Sequence, residues 1–424
     1  MVKEVTAVVI GAGNRGNNYA DYSVSEPEKF RIVGVAEPRK FRRDLMKDKF
    51  SIESKHVFTD WKDAAALDRF ADCVIIATLD KMHKEPAIAF ANKGYHILLE
   101  KPIAVTASDC QEIVKACKDN SVILAVAHVL RYGLHSQTIK DVIDSGAIGD
   151  VVNIQHSESV GFWHFAHSFV RGNWRNEKET VFSLLAKCCH DVDLIHHWVG
   201  RRCMKVSSFG SLMHFTKDNQ PEGASSRCLD CAIENQCPYS AKKIYLEDGA
   251  KSGQFGWPVS VITDVKDIES VTEALKTGPY GRCVYDCDND VVSHQIVNME
   301  FAGGITASLT MGAFTQKVGI RETKVFGTKG EIHGVFDGPV EVKDFLTNNI
   351  TTYPCREDPN IASIGGHGSC DYRLIEAFVK AVAEDDRSNI VAGPDETLAS
   401  HLIVFAAEKA RVENRVVMME EFGI

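Results

Sequence analysis

Short apolar runs alternate with helical patterns over the first 125 residues. The runs are VTAVVI, RIVGVAE, ADCVIIAT, YHILLEK and SVILAVAH, and longer stretches with helical periodicity separate them. Strands that are joined through helices pair in parallel. The pattern therefore predicts an α/β domain with a parallel sheet over residues 1–125.

The pattern changes after residue 126. The runs VVNIQHSESV, KVSSFGSL, HQIVNMEFAG, ITASLTMGAF, ETKVFGT and GEIHGVF carry glycine turns between several of them, which is typical of antiparallel strands. We expect residues 126–424 to form a second, α+β domain. The polar residues 216–260, which carry glycine and cysteine, are expected to be an inserted loop region, and PDETLASHLIVFAAEKARVENR predicts one long terminal helix.

The stretch LLAKCCHDVDLIHHWVG, residues 184–200, has the period of an amphipathic helix. Its apolar positions recur every three or four residues and predict one buried stripe. Lys187, His190 and Asp193 follow each other at intervals of three, beside that stripe. This edge is expected to face a cleft. The alternative is a surface helix on which Lys187 pairs with Asp191.

Composition and charge narrow the classes of function. The chain has 424 residues, enough for two domains, and a formal net charge of -10, which argues against a nucleic-acid partner. No apolar run is long enough for a membrane span, and the apolar run at the N-terminus is too short for a signal peptide. We therefore expect a cytoplasmic protein whose 13 cysteines are mostly reduced thiols.

Gly11, Gly13 and Gly16 directly follow the first predicted strand and open a helical pattern. This context suits a dinucleotide, because its pyrophosphate is bound at a tight turn and a helix N-terminus. The second predicted strand is followed by Glu37, whose carboxylate can accept the ribose hydroxyls, which favours NAD. Arg39 leaves NADP open, since its guanidinium can hold a 2′-phosphate. The alternative is that the arginines form a solvated basic turn.

The segment TLDKMHKEPAIAFANKGYHILLEKPIAVT contains the triplet Glu100-Lys101-Pro102. With the glycine loop, AHVLRY at 127–132, the His190 helix and a helix after GHGSCD, it resembles the glucose-fructose oxidoreductase, inositol dehydrogenase and rhizopine catabolism (Gfo/Idh/MocA) family. The resemblance implies an N-terminal Rossmann domain and an α+β domain with an open, mainly antiparallel sheet. It also implies NAD(P)-dependent oxidation of a secondary hydroxyl of a sugar, sugar acid or cyclitol, by a homodimer or homotetramer.

The resemblance also assigns site residues. The family's lysine beside the nicotinamide falls on Lys101, and its catalytic histidine falls on His190, which is expected to be the acid/base. Where the family often has an aspartate four residues earlier, this chain has Ala186, followed by Lys187 as a second catalytic candidate. Asp193 is a candidate to orient the imidazole. The expected cofactor contacts are Gly11, Gly13, Asn14, Arg15, Gly16, Glu37, Arg39, Thr78, His83, Glu100 and Lys101.

The sequences FWHFAH and SFVRGNWRNE bring aromatic and polar side chains together between predicted elements. Aromatic faces beside polar donors suit a carbohydrate. The alternative is that the tryptophans pin a loop to the sheet. The expected substrate contacts are Arg131, His164, His167, Arg171, Trp174, Arg175 and His190, and His367 is a further candidate for the cleft.

Cys228, Cys231 and Cys237 form a C-x2-C-x5-C arrangement in the inserted region. The first pair has the spacing of one corner of a tetrahedral metal site, so a structural zinc is expected. Cys283, Cys287 or His214 is the candidate for the fourth ligand. An iron–sulfur cluster and free thiols that pack a loop are the alternatives.

Two other functions are open at this point. One branch that resembles the family comprises glycosidases that use NAD for transient oxidation and elimination. Release of sugar from an aryl glycoside without net cofactor reduction would identify that activity. A non-enzymatic cofactor-binding regulator is the other alternative, and the presence of both Lys101 and His190 argues against it.

Overall fold

The computed structural model describes residues 3–355 and 368–424. These residues form two β-sheets, one of six strands and one of nine. His367 lies outside them. Neither range contains a helix that is long and apolar enough to cross a membrane.

The first sheet is parallel and has the strand order of a Rossmann fold. Its strands are β1 (Val5–Ile10), β2 (Phe30–Ala36), β3 (Val57–Phe58), β4 (Cys73–Ile76), β5 (His96–Leu99) and β6 (Leu124–Val126). They lie in the order β3-β2-β1-β4-β5-β6, and every pair is parallel. The predicted α/β domain is therefore confirmed, and the point between β1 and β4 is where such sheets bind ligands.

Helices connect these strands. They are α1 (Asn14–Ala20), α2 (Tyr22–Ser25), α3 (Lys40–Lys49), α4 (Trp61–Ala66), α5 (Lys84–Asn92) and α6 (Ala107–Asp119). The central strands are apolar and fully buried because helices cover both faces of the sheet.

The second sheet is open and mainly antiparallel, as expected. Its strands are β7 (Val151–Ser159), β8 (Cys203–Ser211), β9 (His294–Phe301), β10 (Thr306–Gly312), β11 (Ile320–Gly327), β12 (Gly330–Val335), β13 (Val340–Asp344), β14 (Ile350–Tyr353) and β15 (Val417–Met418). The order is β14-β13-β12-β11-β7-β10-β9-β8-β15. Only β7 and β10 pair in parallel among the described strands of this sheet.

Further helices flank this sheet. They are α7 (Leu134–Asp144), α8 (Phe162–Phe165), α9 (Ser183–Val199), α10 (Val259–Ile262), α11 (Ile268–Thr277), α12 (Ser369–Glu384) and α13 (Pro394–Glu413). α9 is the predicted amphipathic helix and ends at Gly200, which takes a left-handed conformation. α13 is the predicted long terminal helix.

The inserted segment between β8 and β9 runs over residues 212–293 and is longer than predicted. It has a small apolar core of its own, to which Tyr245, Val271 and Leu275 contribute. It also packs against residues 166–171, where His167 bonds to the Tyr245 hydroxyl at 2.7 Å. The segment is therefore a packed unit and not a simple loop.

A buried ion pair fixes α9 against α13. Asp193 accepts hydrogen bonds from Arg131 Nε at 2.6 Å, from Arg131 Nη2 at 2.8 Å and from the Ser400 hydroxyl at 2.8 Å. Neither charged side chain is more than 1% exposed, and Arg131 also pairs with Glu396. Two expectations are corrected by this burial: Arg131 does not line a cleft for substrate, and Asp193 does not share a cleft-facing edge with His190.

We expect Asp193→Ala to lower the free energy of unfolding by about 3–5 kcal/mol, because it leaves a buried guanidinium without its main counter-charge. Burial raises the pKa of the Asp193 carboxyl, but Arg131 outweighs this effect and holds the pKa well below its usual range. The stabilisation is therefore present at neutral pH and lost only as the pH falls below about 4, the pKa of an unfolded aspartate. Urea unfolding at pH 7 measures the loss. The double variant Asp193→Leu/Arg131→Met should recover most of it, and an equal loss in both variants would contradict the charge argument.

Candidate active site

Of the three glycines in the loop after β1, only Gly13 leaves room for a ligand. A Cβ at Gly11 would lie 2.5 Å from the Ala77 carbonyl oxygen, and one at Gly16 would lie 2.0 Å from the Gly11 carbonyl oxygen. A Cβ at Gly13 would meet no atom nearer than Arg39 Nη2, at 4.0 Å. Gly11 and Gly16 are thus required by packing, and Gly13 opens the backbone to a pyrophosphate, which fits a dinucleotide.

Glu37 lies at the end of β2 and is 1% exposed. Its carboxylate accepts hydrogen bonds from the backbone N–H of Ala12 at 2.9 Å, from the backbone N–H of Arg39 at 3.0 Å and from Arg39 Nε at 2.7 Å. Burial raises the pKa of Glu37, but the bonds from Arg39 outweigh this and lower it. The carboxylate therefore braces the glycine loop, a role that the sequence did not predict.

Arg15 connects the glycine loop to the rest of the site. Its Nε lies 2.5 Å from Glu100 Oε1, and its Nη2 lies 2.6 Å from Asp371 Oδ1 at the start of α12. The Tyr19 hydroxyl donates to the same Glu100 oxygen at 2.8 Å. Sequence reasoning missed Asp371, which is far away along the chain. Arg15 and Glu100, both expected at the cofactor, are engaged mainly with each other and with protein neighbours.

Thr78 and His83 belong to the segment after β4. The His83 ring is fully buried, with Nδ1 at 2.8 Å from the Pro102 carbonyl oxygen and Nε2 at 3.3 Å from the Thr78 carbonyl oxygen. His83 therefore braces this segment against the loop that carries Lys101. Its burial corrects the expectation that it binds the cofactor. Asn14, at the start of α1, is exposed beside Gly13.

Lys101 contacts α9, the helix that carries His190. The Lys101 ammonium donates to the Ala186 carbonyl oxygen at 2.8 Å, one helical turn before His190. The His190 ring is 4% exposed and lies edge-on to the ring of His128, with 5.5 Å between the centroids. Burial lowers the pKa of His128 to about 4, so this partner is neutral at pH 7.

Lys187 has a counter-charge that the sequence did not reveal. Its Nζ lies 3.1 Å from Glu158 Oε1 on β7. Asp191, the partner expected for a surface helix, instead lies 2.7 Å from Arg321 Nε and 3.0 Å from His156 Nε2. These groups come from β7, α9 and β11 and give the site a network of charges.

An aromatic cluster lies beside this network. The ring of Trp257, from the inserted segment, has its centroid 4.8 Å from that of His164 and 5.2 Å from that of Trp163. Trp257 is 46% exposed. Burial, helped by the charge of Lys187, holds the pKa of His164 well below its usual value. Only His164 of these three residues was expected at the substrate.

The other candidates between α8 and α9 have protein partners. His167 and Arg171 are buried against the inserted segment, which corrects their expected role in substrate binding. Trp174 Nε1 donates to Asp80 Oδ2 at 2.9 Å, and Arg175 pairs with Asp288 at 2.9 Å. The Trp174 contact joins the two domains, which agrees with the alternative that tryptophan pins this segment.

The expected zinc site is not formed. Within residues 3–355 and 368–424, no three His, Cys, Asp or Glu side chains are grouped closely enough to hold a metal ion. This corrects the prediction for Cys228, Cys231 and Cys237. These three cysteines line one cavity in the inserted segment.

Comparison with known families agrees with the two sheets. Residues 5–128 match the oxidoreductase family with an NAD-binding Rossmann fold, and residues 140–419 match the C-terminal alpha/beta domain of the same Gfo/Idh/MocA family. The chain belongs to the Gfo/Idh/MocA oxidoreductase family. The resemblance noted from the sequence is therefore confirmed.

Relatives within the family differ in how much of the chain they match. The Bacillus subtilis protein YteT is 25% identical over 415 residues, which cover 92% of each chain. A 2,7-anhydro-N-acetylneuraminate hydratase of Escherichia coli is 32% identical over 148 residues, covering 35% of this chain and 39% of the hydratase. A solved levoglucosan dehydrogenase, in complex with NADH and levoglucosan, has the same fold, with a TM-score of 0.71, 19% identity and coverage of 98% and 100% of the two chains.

The glycine loop allows a test that separates packing from ligand binding. Gly13→Ala should leave the melting temperature nearly unchanged, because the added methyl meets no protein atom nearer than Arg39 Nη2, at 4.0 Å. The same variant should weaken NAD binding by about tenfold or more, equivalent to about 1.4 kcal/mol, in a fluorescence titration. Gly16→Ala is the matched control and should lower the melting temperature. Unchanged NAD affinity in folded Gly13→Ala would contradict this placement of the pyrophosphate.

Proposed function

We propose that this protein is an NAD-dependent dehydrogenase that oxidises a secondary hydroxyl of a sugar, sugar acid or cyclitol. The proposal is carried by the contact between the Lys101 ammonium and the Ala186 carbonyl oxygen, 2.8 Å long. This contact holds the loop after β5 against the helix that bears His190. Open α/β sheets bind ligands at the carboxyl ends of their strands, where this loop begins. Bound NAD would supply the hydride acceptor.

His190 and Lys101 have different roles when the substrate hydroxyl loses its proton. Histidine is the side chain that most often accepts a proton in catalysis near neutral pH, so we assign the hydroxyl proton to His190. The Lys101 ammonium has three donors and uses one on Ala186, which leaves others for the substrate oxygen. Its positive charge stabilises the negative charge that develops on that oxygen.

Lys187 is better suited to binding than to proton transfer. Its Nζ lies 3.1 Å from Glu158 Oε1 on β7, which holds this side chain in a fixed position beside the sheet. We propose that Lys187 binds a hydroxyl or carboxylate group of the substrate.

The aromatic cluster supports a carbohydrate-like substrate. Trp163 and Trp257 offer apolar faces, and the neutral ring of His164 beside them has an Nδ1 without a hydrogen-bond partner in the described part of the chain. A polyhydroxylated ring presents both kinds of surface, which is why we favour this class.

A second candidate function is an elimination or hydration reaction that uses NAD for transient oxidation of the sugar. The similarity to the Escherichia coli hydratase favours it. In such a reaction, NAD would be reduced transiently and reoxidised before product release. A screen of sugars, sugar acids, inositols and anhydro sugars, followed for both product and NADH, distinguishes the two. Stoichiometric NADH supports the dehydrogenase, whereas product without net NADH supports the second candidate.

On a substrate from this screen, His190→Ala should lower kcat by about 10²- to 10⁴-fold, because the proton acceptor is lost. NAD affinity, measured by fluorescence, should stay nearly the same. Lys187→Met is the matched control on the same helix and should raise KM more than it lowers kcat. Near-normal turnover in His190→Ala together with a large loss of kcat in Lys187→Met would show that Lys187, and not His190, is the proton acceptor.

We also propose that NAD binds more tightly than NADP, because Glu37 places a carboxylate where a 2′-phosphate would lie. The Arg39 side chain is 55% exposed and can turn into solvent when a ribose enters. Glu37→Gln keeps an oxygen acceptor for the Ala12 N–H but removes the charge, so it should shift the ratio of the two affinities towards NADP by about tenfold. Arg39→Ala should leave NAD binding nearly unchanged. Tighter binding of NADP than of NAD by the unaltered protein would show that Arg39 outweighs Glu37.

A further inference from the structure

Four cysteines line one cavity in the inserted segment, outside the candidate active site. The cavity has a volume of about 180 Å³, and its lining includes Cys228, Cys231, Cys237 and Cys283. All four are free cysteines. The backbone N–H of Cys283 donates to the Ser226 carbonyl oxygen at 2.8 Å, which brings the fourth cysteine beside the C-x2-C-x5-C arrangement.

The cavity is larger than one metal ion requires. Zinc bound by thiolates has Zn–S distances of about 2.3 Å, so its four ligands must converge on one point. No three metal-binding side chains converge in this way within the described ranges. A cavity needs only about 10–15 Å³ to hold one water, so 180 Å³ has room for a group much larger than a single ion.

A buried cation reaches the same cavity. Arg171 is 1% exposed, and its Nη2 lies 3.5 Å from Cys228 Sγ and 2.8 Å from the Tyr239 carbonyl oxygen. Its Nε donates to the Arg282 carbonyl oxygen at 2.8 Å, and its Nη1 has no hydrogen-bond partner in the described part of the chain. A buried guanidinium without a counter-charge is costly, so the site needs negative charge.

The nearby carboxylate does not supply this charge. Glu234 also lines the cavity, but it accepts a hydrogen bond from the Ser240 hydroxyl and lies 3.5 Å from Lys242 Nζ. Arg171 instead lies against sulfur, with its Nη2 3.5 Å from Cys228 Sγ. The missing counter-charge is therefore expected on the sulfur atoms.

We propose that Cys228, Cys231, Cys237 and Cys283 hold a [4Fe–4S] cluster, with Arg171 as its counter-charge. Such a cluster is bound by four thiolates spread around an inorganic core, which matches thiols that surround a cavity. Cys237 is followed by Pro238, as is the last cysteine of bacterial ferredoxin runs.

The charges balance. Two ferrous ions, two ferric ions, four sulfide ions and four thiolates sum to about −2, which supplies the negative charge that Arg171 lacks. The two ferrous ions, the two ferric ions and the four sulfide ions all come from solution in these oxidation states, so no electron is transferred, and each thiol releases one proton to solvent as its sulfur bonds one iron.

The test is to purify the full chain without oxygen, or to reconstitute it without oxygen with ferrous iron, ferric iron and sulfide, and then to analyse iron, zinc and acid-labile sulfide. We expect about four iron and four sulfide per chain and an electron paramagnetic resonance signal after reduction with dithionite. Cys231→Ser and Cys283→Ser should lose both. Cys287→Ser is the matched control, because Cys287 is partly buried nearby and its Sγ donates to the Cys283 carbonyl oxygen at 3.1 Å. Arg171→Met should shift the reduction potential to a more negative value, and Arg171→Lys should shift it less.

Thermal unfolding of each variant shows whether it is folded. If a variant is not folded, the iron and sulfide content of the unaltered chain tests the proposal. One zinc per chain without iron would overturn the proposal, and so would the absence of iron and sulfide after anaerobic reconstitution. Equal iron and sulfide in folded Cys231→Ser and in Cys287→Ser would show non-specific uptake and would also overturn it. None of these outcomes depends on the proposed dehydrogenase activity.

Discussion

The buried pair of Arg131 and Asp193 is the interaction on which the candidate site depends. It joins the segment after β6 to α9, and Ser400 ties α13 to the same carboxylate. Because this contact is buried on all sides, it fixes the position of α9 between the two domains. The Ala186 carbonyl oxygen can then meet Lys101, which belongs to the other domain.

One helix therefore serves three environments. Lys187, His190 and Asp193 are three residues apart, and with 3.6 residues per turn each step rotates the side chain back by about 60°. Over six residues the rotation is about 120°, enough to move from Glu158 on the sheet, past the edge with His190, to Arg131 in the interior. The sequence position of a charged residue on this helix therefore does not by itself tell whether its side chain is buried or faces the cleft.

The inserted segment adds to the fold in two separate ways. At one end it brings Trp257 to Trp163 and His164, beside the charged network of the second sheet. At the other end it packs on Arg171 and encloses the thiol-lined cavity. Both features require the segment to be held by a core of its own, because a mobile loop could not keep aromatic rings and thiols at fixed positions.

The sequence by itself determined the elements with strong period or specific motifs: the parallel strands, the glycine loop, α9 and the terminal helix. It missed β3, β14 and β15, which are short strands at the edges of the two sheets, and β13, which lies next to the edge strand β14. Strands at or near an edge need few apolar residues to form. It also selected Lys101 and His190, whose positions follow a family pattern. Only the tertiary structure decided which charges are paired, since the partners of Lys187, Asp193 and Arg15 come from strands and helices far away along the chain. Burial and charge pairing depend on contacts between residues that are far apart along the chain, and a local sequence pattern does not specify these contacts.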